Sequence, residues 1–105
     1  MERLTPSALK ERLGCGERPI LLDVREPWEF GTCHIEGARN LPMDRMAGAL
    51  HDLDVNAPTV VICHHGVRSL LAARFLEQSG FSRIANLEGG VDAWSREIDS
   101  TLPRY

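Results

Sequence analysis

Short apolar runs without alternation recur between stretches in which apolar residues fall three or four positions apart. That contrast predicts the elements. Thr59-Val60-Val61-Ile62 is the clearest run, β-branched throughout, and with residues 19–24 (Pro19-Ile20-Leu21-Leu22-Asp23-Val24) it reads as strand buried on both faces. Shorter strands are predicted near residues 38–41 and over 84–87. Helical spacing begins at Leu9 and Leu13, with Thr5 as N-cap, Pro6 at the first helical position and Gly14 at the end. Trp28 and Phe30 lie in a predicted helical turn, and Met43, Met46, Ala47, Leu50 and Leu53 mark an amphipathic helix. Residues 69–79 read as a further helix, with Ala72, Phe75 and Leu76 inward, Arg74, Glu77 and Gln78 outward, and Gly80 as the stop. A last helix covers residues 90–97.

Strands alternating with helices at this pitch predict an α/β fold, with a small, mainly parallel central sheet and helices on both faces. A chain of 105 residues supports one core, so residues 1–105 are expected to form a single domain. The balance of 43% hydrophobic and 26% charged residues is that of a packed globular protein. With a net charge of -3 and its 12 Lys and Arg scattered, the chain offers no basic stripe for nucleic acid. No apolar stretch approaches the roughly 20 residues of a spanning helix, and residues 1–6 lack a signal-peptide core. The expectation is a cytoplasmic protein with neither a nucleic-acid nor a membrane partner. Cys15, Cys33 and Cys63 are odd in number and widely spaced, which argues against a disulfide framework or a paired zinc motif.

The chemistry is expected at Cys63, where the strongest strand meets the loop Cys63-His64-His65-Gly66-Val67-Arg68 and then Ser69 opens a helix. Ligands of α/β sheets bind outside the carboxyl ends of the strands. The amides of a tight loop and of a first helical turn have no internal acceptors, so they favour an anion there. Gly66 permits the positive φ that curls such a loop, and Arg68 adds a permanent charge. Together they are expected to raise the thiolate fraction of Cys63. The plain alternative is a small buried hydrophobe at a strand end.

Three stretches carry a resemblance to the rhodanese family. Leu22-Asp23-Val24-Arg25-Glu26, followed by Glu29-Phe30 and His34-Ile35-Glu36-Gly37-Ala38, is similar to its N-terminal signature. Residues 63–69 resemble its active loop, and Leu87-Glu88-Gly89-Gly90 with Trp94 its C-terminal signature. The resemblance implies a rhodanese-like fold in which Cys63 takes sulfane sulfur from a donor such as thiosulfate and passes it, by a ping-pong route, to cyanide or a thiol. One departure is Cys33, where the family usually has glycine; a resolving role would need its sulfur to approach Cys63.

Phosphatases and arsenate reductases on related folds separate Cys from Arg by five residues, whereas four separate Cys63 from Arg68. A tighter ring of amides suits one sulfur better than a tetrahedral oxyanion. Substrate contacts are expected from Arg68, His64, His65, Gly66, Val67 and Ser69, with Arg68 gripping a thiosulfate or sulfite oxygen through its fork. Asp23 and Arg25 are read as an internal ion pair bracing the loop, with substrate contact by Arg25 as the lesser alternative. Trp28, Phe30 and Trp94 read as core or groove-lining aromatics, and neither a cofactor nor a metal is expected. Two other functions fit the same sequence: a non-catalytic binding module of this fold, and a sulfur carrier loaded by, or delivering to, a protein partner.

Overall fold

Four-residue apolar runs become the three inner strands of a parallel sheet, which the computed structural model describes together with the rest of residues 1–105. In chain order the elements are β1 (Glu2–Leu4), α1 (Pro6–Gly14), β2 (Ile20–Asp23), α2 (Pro27–Thr32) and β3 (Arg39–Asn40). They continue with a 3-10 turn (Met43–Arg45), α3 (Met46–Ala49), a second 3-10 turn (Leu50–Asp52), β4 (Thr59–Ile62), α4 (Arg68–Gln78), β5 (Ile84–Leu87) and α5 (Gly90–Glu97). The strand order is β1-β5-β4-β2-β3, and every pairing is parallel. The β-branched run thus occupies the centre, where both faces need apolar cover. The two shortest strands lie at the edges, where they expose little unpaired backbone.

Alternation along the strands divides the core into two layers. Leu21, Val60, Ile62, Ala85 and Leu87 pack with Leu9 of α1 and with Val91 and Trp94 of α5. On the other face Leu22, Val24, Val61, Cys63 and Ile84 pack with Met46 of α3 and with Ala72, Ala73 and Leu76 of α4. No helix is long and apolar enough to cross a membrane.

Four elements differ from the sequence reading. β1 has one buried residue, Leu4, and so no apolar run to announce it. Residues 43–53 form two 3-10 turns around a four-residue helix instead of one amphipathic helix. In α4 the inward stripe is Ser69, Ala72, Ala73 and Leu76, while Phe75 is 38% exposed. The small Ala73 lets the helix sit close to the sheet and rotates Phe75 to the rim. Trp28 is 61% exposed and packs edge-on against Tyr105 with ring centroids 5.8 Å apart, which rules out the core reading and leaves the groove-lining one. Thr5 caps α1 as expected, accepting from the Ala8 amide at 3.2 Å.

Candidate active site

β4 delivers Cys63 to the carboxyl edge of the sheet, and the chain turns immediately. Gly66 makes the turn at φ +94°, where its N–H donates to Cys63 Sγ at 3.0 Å. The backbone N–H groups of His64, His65, Val67, Arg68 and Ser69 have no acceptor within the protein. Behind the loop, the first turn of α5 donates from Val91 to the Cys63 carbonyl at 2.8 Å and from Asp92 to the His64 carbonyl at 3.0 Å. Gly90 allows this approach: a Cβ there would meet the Cys63 carbonyl oxygen at 2.3 Å, and its φ is +58°.

Cys63 is buried, and its thiol donates to Ser69 Oγ at 3.3 Å. The Ser69 hydroxyl donates in turn to Asn86 Oδ1, and Asn86 Nδ2 donates to the Gly66 carbonyl at 3.1 Å. Ser69, expected as a substrate contact, is fully buried and meets the sulfur from within the protein. Val67 is 69% exposed at the rim.

The His64 and His65 rings lie 3.9 Å apart, tilted by 30°, and Tyr105 stacks on His64 at 4.0 Å. Burial, and then the charge of His65, holds His64 below the usual imidazole range. Ligand atoms of His64, His65 and Asp92 lie within 4.8 Å of one another. Asp92, however, already accepts from Arg96 and Arg104, each at 3.1 Å.

Arg68 spends its fork on Glu29, with Nη1 to Oε1 at 2.7 Å and Nη2 to Oε2 at 2.8 Å. The expected helix-start cation is thus a fixed edge of the site, already clamped by a carboxylate. Glu29 also accepts from the Glu26 amide at 3.0 Å and from the Tyr105 hydroxyl at 2.9 Å, which shows how α2 and the last residue join the loop. With Arg68 as the largest cause, its carboxyl is pulled down to about 2. Tyr105 is pushed up to about 12, chiefly by burial.

Asp23 and Arg25 form the internal ion pair. Arg25 Nη2 donates to Asp23 Oδ2 at 2.7 Å and to the Cys33 carbonyl at 2.6 Å, and Nη1 donates to the Tyr105 hydroxyl at 2.7 Å. Arg25 is 0% exposed, so it braces α2 and Tyr105 and has no surface for a substrate. Cys33 belongs to the core layer opposite that of Cys63. The sheet therefore separates the two sulfurs that a resolving disulfide would join.

Glu29, Asn86 and Tyr105 join the candidate site without being among the residues that the sequence singles out. Asn86 did carry a signal, a lone amide in the apolar run Ile84-Ala85-Asn86-Leu87, since a polar group in a buried strand needs a partner. Glu29 stood within the N-terminal motif without a role. Nothing near Tyr105 in sequence announces its position.

A family model described as a rhodanese-like domain matches residues 5–97. Thiosulfate sulfurtransferase GlpE of Pseudomonas putida is 38% identical over 78 residues, which cover 74% of this chain and 71% of the relative. A rhodanese-related protein of Thermoplasma volcanium superposes with a TM-score of 0.84 at 32% identity, covering 93% of this chain and 94% of its own. A rhodanese-like domain protein of Staphylococcus aureus gives a TM-score of 0.84 at 32% identity over 90% of this chain and 91% of its own.

Proposed function

This chain belongs to the rhodanese-like domain family and is a sulfurtransferase of the rhodanese type, and from that premise we propose that it moves sulfane sulfur through a persulfide on Cys63. The donor is a small molecule such as thiosulfate, and the acceptor is cyanide or a thiol. The Cys63 thiolate attacks the outer sulfur of thiosulfate, the donor's S–S bond breaks, and sulfite leaves with the bonding pair. The acceptor then attacks the terminal sulfur and returns the Cys63 thiolate.

The carrying observation is the set of amides around residues 64–69 that have no protein acceptor, beside a Gly66 N–H already directed at Sγ. They are the donors available to a terminal persulfide sulfur. Arg68, the rim histidines His64 and His65, and Val67 border its approach, while Gly66 and Ser69 hold the inner sulfur. Because Glu29 occupies the Arg68 fork, Arg68 contributes a fixed cation and not a two-point clamp. The family match over residues 5–97 supports treating residues 1–105 as one domain. Three free cysteines support a cytoplasmic setting.

Intact mass after incubation with thiosulfate tests the proposal. The protein should gain one sulfur, lose it to cyanide, and gain none as Cys63→Ser. No gain from thiosulfate but full loading from a persulfidated protein would replace the donor by a partner and make the chain a carrier. No gain from either would leave only the binding-module reading.

A further inference from the structure

Register places a hydrogen-bond relay beneath the reacting sulfur. Val61 of β4 pairs with Asn86 of β5, and Cys63 follows Val61 by two residues, so both side chains face the same layer. Ser69, in the first turn of α4, closes the gap between them.

A hydroxyl has one proton to give. Ser69 gives it to Asn86 Oδ1 and can therefore only accept from sulfur, an arrangement that suits the S–H form. A thiolate needs the reverse, with the Ser69 hydroxyl donating to Sγ. Asn86 cannot turn freely to follow, because its amide nitrogen is tied to the Gly66 carbonyl.

We propose that Asn86 is a positioning residue that controls the protonation of Cys63 by competing with its sulfur for the Ser69 hydroxyl proton. When Cys63 ionises, its proton leaves to solvent and the electron pair stays on sulfur. Ser69 then rotates from Asn86 Oδ1 to Sγ and releases the amide oxygen. Persulfide formation keeps the same rotamer, since Sγ then carries no proton. The relay switches the hydrogen bonds of the loop when Cys63 loses its proton to solvent. This inference rests on Cys63 as the sulfur-bearing group, but its test does not use sulfur transfer.

The test is the rate of Cys63 alkylation by iodoacetamide against pH, read by peptide mass so that Cys15 and Cys33 are separated from it. Asn86→Ala should shift the midpoint to lower pH by about half a unit or more, and Ser69→Ala should shift it upward. In the Ser69→Ala background, Asn86→Ala should give no further downward shift. Ser69→Thr should restore the wild-type midpoint, and this pair carries the test if Asn86→Ala does not fold. The remaining charged groups near the sulfur are Arg68 of α4, Glu29 of α2, Asp92 of α5, and His64 and His65 of the loop, all of which the variants leave in place. Shifts of the same sign for Asn86→Ala and Ser69→Ala, or a downward Asn86 shift that persists without Ser69, would overturn the proposal. A failed thiosulfate loading with the alkylation shifts intact would refute only the sulfur reading.

Discussion

Gly90 and Cys63 are 27 positions apart in sequence, yet a methyl group on Gly90 would come within 2.3 Å of the Cys63 carbonyl oxygen. Gly90→Ala combines this clash with a left-handed φ, so it should destabilise the fold by about 1–3 kcal/mol in urea unfolding. It should also push the loop off its α5 anchor and reduce the rate of sulfur loading roughly a hundredfold, as small displacements of a reacting atom do. Cys63, Gly66 and Arg68 are legible in the sequence as candidate site residues because their expected chemistry is local: strand end, turn and helix start follow one another in ten residues or so. Glu29, Asn86 and Tyr105 are not, because each acts across the fold through a partner far away in sequence.

At the scale of elements, α4 shows why hydrophobic spacing predicts a helix better than it predicts the buried face. Phe75 and Leu76 are adjacent, and the larger residue is the outer one. Leu76→Ala should therefore cost about 2–5 kcal/mol by cavity formation. Phe75→Ala should cost less than about 1 kcal/mol, and urea titration of both variants checks the contrast. The inner strands were readable because burial on both faces demands unbroken apolar runs. β1 was not readable, since Glu2 and Arg3 face solvent and Leu4 alone of its residues joins the core. The stretch over residues 43–53 kept its apolar spacing but not one continuous helix, because spacing reports which face is covered and not whether the backbone runs unbroken beneath it.

For the whole molecule, the buried charges join separate segments and set the response to acid. Glu29 ties α2 to α4 through Arg68 and to Tyr105, and its carboxyl titrates at about 2 instead of 4.5. A depressed carboxyl contributes stability that is present above about 4.5 and is lost as pH falls towards about 2. His64 acts in the same direction from higher pH, because its folded state binds a proton less readily than the 6.5 of a free imidazole. The thermal midpoint should therefore begin to fall below about pH 6.5 and drop more steeply below about 4.5. Glu29→Gln should flatten the lower limb when melts are compared across that range, and His64→Gln the upper one.

The loop's anchors fall on particular positions. Cys63 and His64 are held through their carbonyls by α5, and Gly66 is held through its carbonyl by Asn86, while the exposed side chains of His65 and Val67 make no hydrogen bond to the rest of the protein. Anchoring and exposure thus fall on different residues of one six-residue turn. Under the proposed function, positions 65 and 67 form a mouth over a fixed sulfur seat, and substitutions there should alter the choice of donor or acceptor without unfolding the protein.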